Sequence, residues 1–234
     1  MSTLPVCVVV GTGPGNGAAF ARRFHADGYA VALLARSREY SNQLASSLSN
    51  ARAFACDVTD AAAVERTFEE IRSSLGEPVV VIYNASNYAF GTLEQISPAA
   101  FDEAYRVNVL GAFLVAKQVV PGMKRAGGGS FVFIGATASR RGTARGTALG
   151  PAKMAQRGLA ESLARQLWPS QIHVALIVID GIVGTPAALR NWPDKPESFF
   201  IKPEDVAASA AGLVGQPRSA WSFEVEARPF GESW

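Results

Sequence analysis

Seven residues near the start of the chain, Gly11-Thr12-Gly13-Pro14-Gly15-Asn16-Gly17, have the make-up of an anion-binding turn. They follow an apolar run, Val6-Cys7-Val8-Val9-Val10. They precede Ala18-Ala19-Phe20-Ala21-Arg22-Arg23-Phe24, whose apolar residues recur at helical spacing. A strand that turns tightly into a helix leaves the first N–H groups without intrahelical partners, and the helix dipole adds positive character there. Glycines remove the Cβ atoms that would hold an anion away from those donors. The chemistry expected at this turn is phosphate binding. A flexible strand-to-helix turn without a ligand is the plainer alternative, and the order of strand, glycines and helix argues against it.

A second residue with phosphate chemistry follows the next apolar run, Tyr29 to Ala35. Dinucleotide folds that select NAD place an acid at the end of this strand for the ribose 2′-hydroxyl. Here the position holds Ala35, followed by Arg36, with Arg38 close by. The planar guanidinium of Arg36 suits a 2′-phosphate; a solvated surface arginine is the other reading. The missing acid favours NADP over NAD.

The glycine spacing is specific. G-x-G-x-x-G fails because its sixth position is Asn16, and a P-loop fails because no Lys-Ser or Lys-Thr follows. G-x-x-x-G-x-G fits, with Gly11, Gly15 and Gly17, and this resembles the short-chain dehydrogenase/reductase family. The resemblance extends along nearly the whole chain. Asp57-Val58 stands where the family has an acidic residue that contacts the adenine amino group; a turn or cap aspartate is the alternative. Asn84-Ala85-Ser86 resembles the family's Asn-Ala-Gly, whose asparagine steadies the central sheet beside the cofactor. Asn108, in Arg106-Val107-Asn108-Val109, matches the asparagine that supports a water relay to the active-site lysine. Asp180-Gly181-Ile182-Val183-Gly184-Thr185 resembles Pro-Gly-x-Val-x-Thr, whose backbone and threonine hold the nicotinamide carboxamide. Asp180 replaces the proline, and Thr185 also reads as a helix N-cap. The resemblance therefore implies cofactor contacts from Gly11, Gly15, Asn16, Gly17, Arg36, Asp57, Val58, Asn84, Ala85, Lys153, Gly181, Val183 and Thr185.

The same resemblance exposes a gap. The family carries catalysis on a serine after the fifth strand and on Tyr-x-x-x-Lys in the next helix, where tyrosine and lysine share one face. The lysine holds the nicotinamide ribose and lowers the phenol pKa from about 10. Lys153 is present in Ala152-Lys153-Met154-Ala155, but Leu149 stands four residues earlier. None of Tyr29, Tyr40, Tyr83, Tyr88 and Tyr105 has a lysine four residues later, so a register shift does not restore the pair. The serine position falls in Gly135-Ala136-Thr137, with Ala136 as its equivalent. Asn108 and Lys153 remain of the catalytic set, and Thr137, Ser139, Thr147 and Tyr88 are candidate substitutes. The expected function is NADP-dependent hydride transfer between nicotinamide and a carbonyl or alcohol, with an impaired proton-transfer site. A non-catalytic NADP(H)-binding sensor or assembly partner is the alternative.

The elements that must position these residues follow from the patterning. Strands are expected at roughly 4–10, 29–35, 51–56, 79–83, 131–134, 172–179 and 221–227. Between them lie helices at roughly 15–27, 37–48, 61–75, 98–124 (bent before Pro121) and 150–168, with another starting at Pro203. This alternation predicts one α/β domain over residues 1–234, a Rossmann-like doubly wound parallel sheet of about seven strands with ligands at the strand carboxyl ends. The segment of roughly 183–202 has little periodicity and carries Pro186, Pro193 and Pro196, and it reads as a substrate lid. Tyr88, Phe90 and Trp192 point to a small-molecule substrate with an apolar part. Arg140, Arg141 and Arg145 are candidates for an anionic group, or plain solvated loop charges.

Composition narrows the class further. At 234 residues, 48% apolar and 18% charged, the chain has a globular balance, and a net charge of +2 gives no electrostatic case for nucleic acid or an anionic membrane. Cys7 and Cys56 sit in apolar runs and read as buried thiols rather than a disulfide. No metal-ligand spacing and no signal or membrane-spanning run is seen, so a cytoplasmic location is expected. The resemblance implies a homodimer or homotetramer. Its surfaces would be the helices of roughly 98–124 and 150–168, with Phe113, Leu114, Leu159 and Leu163, and the last strand with Trp221.

Overall fold

A computed structural model describes residues 4–231. Seven strands form one parallel sheet: β1 (Val6–Val10), β2 (Ala30–Ala35), β3 (Ala51–Ala55), β4 (Pro78–Tyr83), β5 (Gly129–Ala136), β6 (Ile172–Ile179) and β9 (Glu224–Ala227). Their order is β3-β2-β1-β4-β5-β6-β9. Two short strands, β7 (Ile182–Val183) and β8 (Phe200–Ile201), pair in parallel apart from it. The helices are α1 (Asn16–Ala26), α2 (Arg38–Ser46), α3 (Ala61–Ser74), α4 (Pro98–Tyr105), α5 (Gly111–Arg125), α6 (Leu149–Leu167), α7 (Pro186–Asn191) and α8 (Pro203–Val214). Among the described residues no helix is long and apolar enough to cross a membrane.

Successive strand residues face opposite ways, so each strand serves two cores. On β1, Val6, Val8 and Val10 pack with Val64, Phe68 and Ile71 of α3, Val115 and Val119 of α5, and Ala160 and Leu167 of α6. Cys7 and Val9 pack on the other side with Phe20 and Phe24 of α1, Leu44 of α2 and Leu213 of α8. A strand buried on both faces reads as an unbroken apolar run, which is what β1 and β4 show, and β6 from Val174 onward. The strand order reverses between β1, which leads to β2 on one side, and β4 on the other. A crevice opens at that point beyond the carboxyl ends.

Three local expectations are corrected. The helix expected over roughly 98–124 is not one continuous α-helix up to Pro121. It is interrupted upstream by a π-helical turn, Arg106–Leu110, closed by Gly111 N–H donating to Arg106 O, five residues back. Pro121 lies inside α5. The proline and Lys117, four residues earlier, are both exposed, so the carbonyl left without a helical donor lies on the solvent side. The segment of roughly 183–202 is not without regular structure either: it contains β7, α7 and β8. The last strand is shorter than expected. Trp221 lies outside it and stacks on His173 with ring centroids 4.7 Å apart.

Candidate functional site

The cleft at the β1/β4 switch has a volume of about 680 Å³. Its floor is the glycine turn. Gly11 has φ +90°, and a Cβ there would lie 2.4 Å from Ala85 N; a Cβ on Gly17 would lie 2.7 Å from Gly11 O. Neither position admits a side chain without moving backbone. The turn is fastened by Gly11 N–H and Thr12 N–H to Leu34 O, each at 2.9 Å, and by Thr12 Oγ1 to Val9 O. Asn84 Nδ2 donates to Gly11 O at 2.7 Å and Asn84 N–H to Val10 O at 2.8 Å, which ties β4 to the turn.

The N-terminus of α1, unlike those of α2, α3, α4 and α7 but like those of α5, α6 and α8, has no side-chain cap. Ser37, Asp60, Ser97 and Thr185 cap α2, α3, α4 and α7 through side-chain oxygens, whereas Gly15 gives α1 no side-chain cap. Of the donors that a cap satisfies elsewhere, Ala18 N–H is taken by Gly13 O at 3.0 Å, and the N–H of Gly17, which lines the cleft, is left. A diphosphate fits the bare backbone donors; Asn16 Oδ1, also at this turn, is buried without a partner and as an acceptor suits a hydroxyl rather than the anion.

At the β2 and β3 end the cleft is lined by Ala35, Arg36, Asp57 and Val58, and by Ser37, Glu39, Tyr40 and Gln43, which the sequence reading did not single out. Their signal was helical spacing: Tyr40 and Gln43 are three residues apart on α2, immediately after Arg36. Arg38 is committed elsewhere, donating to Ala53 O at 2.6 Å. Arg36 is exposed. The carboxylate of Asp57 accepts Thr59 N–H at 2.9 Å and Thr59 Oγ1 at 2.8 Å. The Thr59 backbone bond is the main cause holding Asp57 below the ordinary carboxylate range, with Arg36 and Arg106 adding to it.

Val183 and Thr185 close the opposite end, with Asn87, Tyr88 and Val107. Thr185 does two things: its Oγ1 caps α7 by accepting Ala188 N–H at 3.1 Å, and the residue lines the cleft. Gly181, at φ +154°, turns the chain after β6 and does not line it.

Asn108 and Lys153 lie behind the cleft rather than on it. Asn108, at the centre of the π-turn, is fully buried. Its Oδ1 accepts Ser86 Oγ at 2.9 Å, and its Nδ2 donates to Ala104 O at 2.9 Å and Asn87 O at 3.3 Å. Lys153 Nζ donates to Ile134 O at 2.9 Å and to Gln156 Oε1 at 3.0 Å. Burial pushes this amine down to about 7. Gln156 Nε2 donates to Asn108 O at 2.8 Å. Gln156 was missed in the sequence; its signal was a polar residue one turn after Lys153 on the buried face of α6. Leu149 begins α6 and is 1% exposed, and Ala136 ends β5.

Residues 5–195 match a family model described as short chain dehydrogenase. The chain belongs to the short-chain dehydrogenase family. It is 28% identical over 232 residues to dehydrogenase/reductase SDR family member 4 of Mus musculus, covering 92% of this chain and 82% of the relative. A metagenomic short-chain oxidoreductase solved in complex with NADP is similar at TM-score 0.83 and 28% identity, covering 96% of this chain and 97% of that one. An alcohol dehydrogenase from Thermococcus sibiricus complexed with 5-hydroxy-NADP is similar at TM-score 0.87 and 26% identity, covering 98% of each.

Within this family frame the candidate substitute hydroxyls separate. Thr137 Oγ1 donates its proton to Asp180 Oδ1 at 2.5 Å, Ser139 is buried and its Oγ accepts Ala136 N–H at 3.1 Å, and neither residue lines the cleft. Thr147 is half-buried and off the cleft; Tyr88 lines it and is 67% exposed. The loop arginines are corrected as well. Arg140 pairs with Glu226 at 2.5 Å and Arg141 with Asp180 at 3.3 Å, which also binds Arg228. These charges serve a network at the ends of β6 and β9, and Arg145 does not line the cleft. Phe90 and Trp192 do not line it either. Among the described residues no group of three or more His, Cys, Asp or Glu could hold a metal ion.

Proposed function

We propose that this short-chain dehydrogenase binds NADP(H) and transfers a hydride between it and a carbonyl or alcohol carbon, through a site that lacks the family's serine and tyrosine. The observation that carries the reading is the uncapped α1 N-terminus over a glycine turn, with Arg36 at the ribose end and Thr185 at the other. The bound nicotinamide supplies the hydride chemistry; the chain supplies binding and orientation. The first N–H groups of α1, with Gly11, Gly15, Asn16 and Gly17, hold the diphosphate. Arg36 takes the 2′-phosphate in preference to an NAD ribose. Asp57 and Val58 meet the adenine, and Asn84 and Ala85 hold the turn in place. Val183 and Thr185 hold the carboxamide, and Gly181 turns the chain that carries them. Lys153 has one N–H beyond its two acceptors and offers it to the nicotinamide ribose, with Asn108 behind it. Two similar structures carry NADP or an NADP derivative, which supports the cofactor choice.

Leu149 and Ala136 offer no proton. Of the four substitute hydroxyls, Tyr88 is the one that lines the cleft, and the proposed substrate, a small molecule with an apolar part, lies beside it. The position of Thr137 and Ser139 off the cleft favours a second reading, a non-catalytic NADP(H)-binding sensor. Titration of NADPH and NADH, followed by turnover on a panel of ketones and alcohols, tests both. Absence of cofactor binding overturns both, and binding without any turnover leaves the sensor. The protein is read as cytoplasmic and as a homodimer or homotetramer. Phe101, Tyr105 and Phe113 of α4 and α5 are each more than two-fifths exposed, apolar area that a second copy would cover. Sedimentation showing only monomer at micromolar concentration overturns the assembly.

A further inference from the structure

Gln156 is 0% exposed and Lys153 2% exposed, one helical turn apart on α6. The carboxamide is used at both ends: its oxygen accepts Lys153 Nζ at 3.0 Å, and its nitrogen donates to Asn108 O at 2.8 Å. A protonated amine has three N–H groups. Gln156 Oε1 and Ile134 O take two of them, and no acid among the described residues forms an ion pair with Lys153. Two neutral acceptors, one from β5 and one from its own helix, therefore fix the direction of the amine. The far end of the carboxamide is anchored in the π-turn, whose Asn108 side chain bonds Ser86 in the cleft wall. A lysine left without Gln156 would keep a single acceptor in a site that water does not reach, and its charged form would be less favoured.

We propose that Gln156 is a positioning residue for Lys153, holding the amine against β5 so that its remaining N–H is presented to the nicotinamide ribose. The proposal rests on the cofactor reading above. A purely structural alternative is that Gln156 only caps the Asn108 carbonyl. The two roles use opposite ends of the carboxamide: positioning needs the acceptor oxygen, capping needs the donor nitrogen. Gln156→Glu keeps the first and loses the second, whereas Gln156→Leu loses both.

The test is NADPH affinity of the full chain, read by equilibrium titration in Gln156→Leu, Gln156→Glu, Lys153→Ala and the Gln156→Leu/Lys153→Ala double variant. Alongside it, the titration of the Lys153 amine is followed by NMR of ¹³Cε-lysine without cofactor. Gln156→Leu is expected to weaken NADPH several-fold, and to have no further effect once Lys153 is replaced. Gln156→Glu is expected to keep affinity within twofold and to move the lysine midpoint up, because a carboxylate then faces the amine. Equal damage from Leu and Glu, an additive double variant, or an unmoved lysine midpoint in Gln156→Glu each overturns the proposal. Where Gln156→Leu fails to fold, the glutamate variant and its NMR midpoint decide. A wild-type chain that binds neither NADP(H) nor NAD(H) overturns the cofactor reading instead, and the NMR midpoint still reports whether Gln156 holds the amine.

Discussion

Two helix N-termini, that of α1 lining the cleft and that of α6 off it, are built on opposite plans. At α1 the backbone does the work: Gly15 leaves the first donors uncapped, and glycines at 11 and 17 bring the turn against Ala85 and Gly11. At α6 the side chains would have to do it, and those at its start, Leu149 and the nearby Ala136, carry no polar atom. The polar groups behind them, Lys153, Gln156 and Asn108, satisfy one another. Binding built from main-chain geometry survives many substitutions, because every non-proline residue brings an N–H. Proton transfer built from one phenol and one hydroxyl is removed by two. On the proposed function, this family member keeps its cofactor half and loses its chemical half.

The comparison can be broken from either side. The largest effect is expected from rebuilding the chemical half. Wild-type reduction of ordinary ketones with saturating NADPH should fall below the enzyme range of about 1–10³ per second, and Leu149→Tyr with Ala136→Ser should raise it about a hundredfold, in line with one restored general acid. Steady-state NADPH consumption checks this, and a wild-type rate inside that range contradicts it. Damage to the backbone half comes next: Gly15→Val, whose Cβ would fall 2.7 Å from Thr185 Cγ2 at φ +150°, should weaken NADPH about a hundredfold in an equilibrium titration. Arg36→Glu should reverse the preference for NADPH over NADH by about tenfold, measured by titrating both cofactors against both proteins; equal wild-type affinities would remove the role given to Arg36.

A further prediction concerns stability. Lys153 titrates near 7 when folded, against an ordinary value of 10.5. Between those values the unfolded chain binds the extra proton, so this residue makes stability rise with pH across that window, by up to about 1.4 kcal/mol per unit. Below about 7 the slope from this residue vanishes. Urea unfolding of wild type and Lys153→Met at pH 7 and 9 should show the gap between them shifting in favour of wild type as pH rises.

The sheet was legible because buried parallel strands are unbroken apolar runs and because serine, aspartate and glycine mark helix ends. That Gly11, Gly17 and Arg36 line one cleft was legible for the same reason, since local backbone and strand-end position place them. What could not be read required contacts between distant segments. Pairing of Arg141 with Asp180, or of Arg140 with Glu226, depends on which loops meet beyond β6 and β9. The π-turn at Asn108 leaves no mark in composition, and the proline expected to bend the helix lies where solvent takes up the lost bond. Gln156 looked like one more polar helix residue until the fold placed its carboxamide between two chains of hydrogen bonds.

The two thiols have a consequence of their own. Cys7 is fully buried at the centre of the sheet, and burial raises its pKa well above the ordinary thiol value. Cys56 follows β3, is 4% exposed and lines the cleft, and burial raises its pKa as well. Alkylation needs thiolate and access, so the native chain is a slow reactant at both. The two sites then act as separate clocks. Labelling of Cys56 times the local opening of the β3 edge and is slowed by a ligand in the cleft. Labelling of Cys7 times the parting of β1 from β2 and β4, an event as large as unfolding itself.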